Sequence, residues 1–235
     1  MTYRAVMRSG SGNRGEAAPY GRRGFLVHAV VAALAVPIAA AGQQRRWVGE
    51  EVHIFALGDS LTAGFGLPRE LGFVPQLEAH LRRHGVPARL VNAGVSGDTA
   101  AQGLRRLALT LDGLPRKPDL AIVALGANDM LRGLPVARTR AALAAILAEL
   151  ERREVKRLVA GMIAAPDRGP DYAHAFNPMF AELARAYGAG FHPFFLEGVA
   201  GDRALNQADG LHPNFQGVKR MVSAITPRVI EALAQ

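Results

Sequence analysis

The chain has no cysteine, which removes disulfides, thiolate metal ligands and a cysteine nucleophile together. Aromatic residues are scarce, at 6% with a single Trp. Basic residues form no stripe with aromatics between them, so the sequence lacks the footprint of a nucleic-acid surface. The formal charge is +8, but Arg4, Arg8, Arg14, Arg22 and Arg23 stand against Glu16 alone in residues 1–41, which is half of the excess. Later pairs such as Arg105-Arg106 and Arg152-Arg153, the second flanked by Glu151 and Glu154, read as solvated helix faces. An apolar run of the ~20 residues that a membrane span needs is also missing. The nearest candidate, residues 25–41, is shorter and is interrupted by Pro37. No repeat, low-complexity tract or linker follows residue 50.

What is present begins with an address. Gly21-Arg22-Arg23-Gly24-Phe25-Leu26 precedes an uncharged apolar run that ends in Ala39-Ala40-Ala41. A basic region, an apolar region and a small-residue end make the layout of a secretory signal. The Arg-Arg-x-Phe-Leu core resembles the twin-arginine export signal. Residues 1–41 are therefore expected to be an export signal, cleaved near Ala41-Gly42 with an uncleaved anchor as the alternative, and residues 42–235 one domain, periplasmic or secreted.

Within that domain the apolar run Val52–Leu57 reads as a buried strand that stops at Gly58 and delivers Ser60 at its tip. Asp59 or Ser60 could equally cap the next helix. A helix is expected over Leu71–His84, with Phe73, Val74, Leu77 and Leu81 on one face and Gly85 ending it. His80 and His84 on that helix have metal-binding spacing but no third ligand nearby, so they read as surface histidines. Further strands are expected at Ala88–Val91, Asp119–Leu125, Val155–Ile163 and Phe191–Leu196. Helices are expected from Asp98 or Thr99 to about Leu111, over Pro135–Arg152, over Asn177–Tyr187 with Pro178 in its first turn, and from near Pro213 to Ala234. Residues 165–175, with two prolines and Gly169, read as a long loop of the kind that often carries function. Five strands alternating with helices imply an α/β fold with a parallel sheet covered on both faces.

The loops at the strand ends carry Ser60, Gly97, Asn128 and the pair Asp209/His212. A serine hydroxyl needs a base to take its proton, and the base needs a group that holds its tautomer. His212 can be the base and Asp209, three residues earlier, its partner. The backbone N–H groups of Ser60 and Gly97 and the side-chain amide of Asn128 are donors of the type an oxyanion requires. Each element alone has a plainer reading: a turn at Asp209-Gly210, a helix start at Pro213, an Asx cap at Asn128-Asp129, a helix-entry glycine at Gly97. Their joint placement at strand ends is what favours chemistry.

Gly58-Asp59-Ser60-Leu61, Ser96-Gly97-Asp98, Gly126-Ala127-Asn128-Asp129 and Asp209-x-x-His212 resemble, in order, the four sequence blocks of the SGNH (GDSL) hydrolases. Residues 92–99, Leu131-Arg132-Gly133 and Pro193-Phe194-Phe195 resemble the bacterial periplasmic thioesterase/arylesterase/lysophospholipase branch. The resemblance implies a flavodoxin-like three-layer α/β/α sandwich with a five-stranded parallel sheet. It implies Ser60 as nucleophile, His212 as base and Asp209 as its partner, with Ser60, Gly97 and Asn128 forming the oxyanion hole. Leu131, Pro166 and Phe176 are expected to line the acyl pocket. The expected substrate is a small-molecule ester, thioester or lysolipid, the last with transient contact to membrane lipid; no metal, organic cofactor or nucleic acid is implied. The alternatives are a carbohydrate O-deacetylase on the same scaffold and a non-catalytic periplasmic binding protein. Two departures stand out. Ala127 replaces the usual second glycine of its block, and the 166–172 loop differs from the usual Pro-Asn-Tyr-Gly.

Overall fold

A computed structural model describes residues 51–235; the expected signal, residues 1–41, lies outside them. The strands are β1 (Val52–Gly58), β2 (Ala88–Gly94), β3 (Leu120–Ala124), β4 (Lys156–Ala160) and β5 (Gly190–His192). They form one parallel sheet in the order β2-β1-β3-β4-β5. All five residues of β3 are buried, as a central parallel strand covered on both faces requires. β2, at the edge, is buried only in part. The helices are α1 (Ser60–Ala63), α2 (Phe73–Arg83), α3 (Ala100–Asp112), α4 (Ala127–Leu131), α5 (Val136–Arg152), α6 (Pro170–Ala186) and α7 (Phe215–Ala234). α2 packs on α7, and α3 packs on α5, which packs on α6. The two groups make the outer layers of the α/β/α sandwich that the sequence leads one to expect.

The register sets the site. Gly58 of β1 lies beside Gly94 of β2 and Ala124 of β3, so three strands finish level with one another. The chain runs outward from β1 to β2 and then returns across β1 to β3. The strand order therefore reverses between β1 and β3, where open α/β sheets place their ligands.

Three expectations need correction. α6 starts at Pro170, not Asn177, because Gly169 takes a positive φ of 82° and hands Pro170 the first helical position. Pro178 consequently lies inside the helix. The helix continues past the hydrogen bond that Pro178 cannot make, with Phe176, Met179, Phe180 and Leu183 buried along it. The expected loop at 165–175 is thus a 3-10 turn at Pro166–Arg168 followed by helix. β5 has only three residues, since Pro193 has no N–H with which to extend the ladder. Gly85 does follow α2, with φ 79° and its N–H donating to the Arg82 carbonyl at 3.0 Å.

Candidate active site

The turn after β1, the serine turn, is assembled by close backbone approach. A Cβ on Gly58 would collide with the Thr62 side chain, and one on Gly94 would collide with the backbone of Thr62 and Ala63. Asp59 caps α1, its Oδ1 accepting the Leu61 N–H at 3.0 Å. Ser60, half-buried, occupies the first helical position. The cap reading and the presented-serine reading therefore both hold, on adjacent residues.

β2 runs into a tight turn in which Gly97 has φ 85°. Thr99, not Asp98, caps α3, in a capping box with Gln102. Asp98 instead ion-pairs with Arg106 at 2.7 Å, and the same guanidinium donates to the Gly58 carbonyl at 3.0 Å. Arg106 thereby ties the Gly97 turn to the end of β1. Arg132 donates to the Gly97 carbonyl at 2.7 Å.

After β3, Gly126 takes φ 113° and α4 begins. Asn128 is not an Asx cap. Its Nδ2 donates to the Asp98 carbonyl at 3.1 Å and to Asp59 Oδ2 at 3.3 Å. Asp129 is buried and accepts from the Ala100 N–H at 2.8 Å and from Thr139 Oγ1 at 3.0 Å. Ala127 needs no glycine conformation, because among the described residues Glu154 is the non-glycine residue with positive φ.

The histidine turn, residues 206–214, is closed by an Asn206–Pro213 bridge and by the Gln207 N–H donating to the His212 carbonyl at 2.7 Å. Asp209 Oδ1 accepts the N–H groups of Leu211 and His212 at 2.9 and 3.0 Å, and Oδ2 lies 2.6 Å from His212 Nδ1. A carboxylate only accepts, so Nδ1 carries the hydrogen. Nε2 is then free to accept from Ser60 Oγ, 2.9 Å away. Gln207 Nε2 donates to the carbonyls of Phe65 and Pro213, and the Phe65 ring lies 4.6 Å from the His212 ring. α7 is capped by Asn214, not started by Pro213.

The two carboxylates of the site differ electrostatically. The backbone N–H and side chain of His212, with the Leu211 N–H, pull the Asp209 carboxyl down to about 2. Asp59 is 1% exposed, and loss of solvation pushes it up to about 6 despite bonds from Leu61 and Asn128.

Ser60, His212, Asp209 and Asn128 thus come together from segments far apart in the chain, with Gly97 held alongside. Leu131, at the end of α4, and Pro166, in the 3-10 turn, are exposed, and the Tyr172 hydroxyl of α6 donates to the Leu134 carbonyl just after α4 at 3.2 Å. Phe176 is not on that surface. It is 0% exposed, stacked against Tyr172 at 5.4 Å and edge-on to Phe180 at 5.2 Å. Its ring is aromatic core, and it leaves the set of pocket candidates. His80 and His84 lie ring to ring at 4.4 Å. No group of three metal-ligating side chains occurs among the described residues. Sequence reasoning missed Phe65, Arg106 and Gln207, whose partners lie far off along the chain.

Comparison with known proteins gives the same grouping. The sequence model of the GDSL-like Lipase/Acylhydrolase family matches residues 56–220. Esterase TesA of Pseudomonas aeruginosa is 37% identical over 174 residues, covering 74% of this chain and 86% of its own length. An arylesterase of Vibrio mimicus is 34% identical over 160 residues, 68% of this chain and 79% of its own. Among solved structures, AlinE4, an SGNH-hydrolase family esterase, is 48% identical with a TM-score of 0.67, covering 78% of this chain and 97% of its own. The family match spans most of the described domain, including every strand-end loop of the site and leaving out only the start of β1 and the later turns of α7, so this chain belongs to the GDSL-like lipase/acylhydrolase family.

Proposed function

We propose that the chain is a serine hydrolase that cleaves carboxylic esters and thioesters through an acyl-enzyme. The observation that carries this reading is the unbroken line from Ser60 Oγ through His212 to Asp209, at 2.9 and 2.6 Å. Ser60 attacks the acyl carbon as His212 Nε2 takes its proton. Asp209 holds Nδ1–H and offsets the charge of the imidazolium that forms. The N–H groups of Ser60 and Gly97 and the Asn128 amide face the developing oxyanion, each worth about 3–4 kcal/mol of barrier. His212 then returns the proton to the leaving alcohol or thiol, and next takes one from the water that releases the acid.

The surroundings support an apolar acyl group. Of the exposed large hydrophobic side chains among the described residues, Phe65, Val95, Leu131, Ile163, Leu211 and Phe215 lie on or beside the loops at the carboxyl ends of the strands; Leu109 alone is elsewhere. An apolar rim around a polar centre suits an acyl chain, lysolipids included, with contact to membrane lipid during turnover. Leu131 and Pro166 are the residues proposed to touch that chain. Residues 1–41 are proposed to direct export, and a mature protein whose mass places its start before Phe25 would refute that.

The test of the hydrolase reading is Ser60→Ala. Turnover of p-nitrophenyl butyrate should fall about 10⁴-fold or more with the melting temperature retained, and labelling by a fluorophosphonate should be lost. An unchanged rate would refute the assignment. Activity confined to acetyl esters would move the substrate class to O-deacetylation.

A further inference from the structure

The Asn128 amide has two hydrogens, and both already have acceptors. One goes to the Asp98 carbonyl at 3.1 Å and the other to Asp59 Oδ2 at the longer 3.3 Å. An oxyanion that draws on this amide has to share one of them, and the looser bond is the one to Asp59. The other oxygen of Asp59 is engaged by the Leu61 N–H. Both carboxylate oxygens therefore face donors, and the side chain itself is buried. This arrangement does more than cap a four-residue helix, because a cap needs one oxygen and Ser would serve.

We infer that Asp59 is a positioning residue for the oxyanion hole, its carboxylate holding the Asn128 amide in place to meet the oxyanion. The inference rests on the hydrolase reading above and adds a residue to it. The ionised form holds both donors. A proton on Oδ2 would set O–H against the Asn128 amide, and one on Oδ1 would set it against the Leu61 N–H and leave Oδ2 a neutral, weaker acceptor. Burial already favours that proton, drawing the carboxyl up to about 6. Of the charged groups on the neighbouring elements, His212 acts on Asp59 and favours its ionised form. Asp98 is paired with Arg106, whose guanidinium also bonds the Gly58 carbonyl. Asp129 is held by the Ala100 N–H and Thr139. Protonation of Asp59 thus weakens the oxyanion hole from the acid side.

The test is a double-mutant cycle on the full chain with p-nitrophenyl butyrate between pH 5 and 9, using Asp59→Asn, Asn128→Ala and the pair. Asn128→Ala should lower kcat about 10²–10³-fold. Asp59→Asn should lower kcat about 10–100-fold with KM within about twofold, because the acting interaction is made in the transition state. The double variant should be no slower than Asn128→Ala alone. The acid limb of the wild-type kcat profile should be steeper than that of Asp59→Asn. Asp59→Ser keeps a cap for Leu61 and covers the case in which Asp59→Asn does not fold; its kcat should fall in the same way. Additive losses in the double variant, or wild-type kcat in Asp59→Ser, would overturn the inference while leaving the hydrolase standing. A wild type that turns over no ester or thioester and takes no fluorophosphonate would overturn both.

Discussion

The serine turn and the histidine turn meet where Ser60 bonds His212, and they are built in opposite ways. The serine turn is held by packing. Asp59 and Thr62 are buried, and Gly58 and Gly94 let backbones approach to distances that a side chain would forbid. The histidine turn lies in the open. Asp209, Gly210 and Leu211 are exposed, and the loop keeps its shape through hydrogen bonds from Gln207, Asn206 and Asn214. The same contrast governs the carboxylates. In the packed turn lost solvation dominates and Asp59 rises, while in the open turn donated N–H groups dominate and Asp209 falls. The nucleophile is placed by sterics and the base by polar contacts, so each turn should fail in its own way.

The largest effect expected is in the open turn. Asp209→Asn should drop kcat about 10⁴-fold, since an amide cannot enforce the same imidazole tautomer. The melting temperature should scarcely move, because the side chain is exposed. A large stability loss there would break the contrast. In the packed turn the order reverses: Gly94→Ala drives a methyl into the backbone of Thr62 and Ala63 and should cost about 3 kcal/mol or more in chemical denaturation.

The pH dependence separates the turns next. Asp59 holds its proton up to about 6 in the folded protein and to ~3.9 when unfolded. Its ionisation thus burdens the fold above pH 6, and the burden lifts as pH falls from 6 toward 4, by about 3 kcal/mol. Asp209 has the other sign. Its contribution is present above ~3.9 and is lost only as pH falls toward 2. Urea midpoints at pH 7 and 4.5 should show a gain for the wild type that Asp59→Asn lacks. The smallest effect is Gly210→Ala. Nothing lies within 4 Å of the added methyl, so only the positive φ of 70° opposes it, at about 1–2 kcal/mol.

Much of the site could be read from sequence because its residues sit where local patterns change. Ser60, Gly97, Asn128 and His212 each follow an apolar run or a glycine that marks the end of a strand or turn. What escaped was set by distant or conformational facts. The start of α6 turns on the positive φ of Gly169, which its letter permits but does not announce. Phe176 is expected in the pocket and lies in the core. Tyr172, Phe176 and Phe180 have the four-residue spacing of one helix face, and that signal would have placed it in the core. The bond from Asn128 to Asp59 spans 69 positions and the Arg106–Gly58 bond 48. Only the register of β1, β2 and β3 brings such partners together.

Ser60 and His212 are 152 residues apart, and everything between them must be folded before they touch. The serine emerges early during synthesis, while its base arrives just ahead of the last helix. Without the histidine turn in place Ser60 is a hydroxyl with no partner, so the hydrolase reading demands that two remote turns of the described domain be held in register at once.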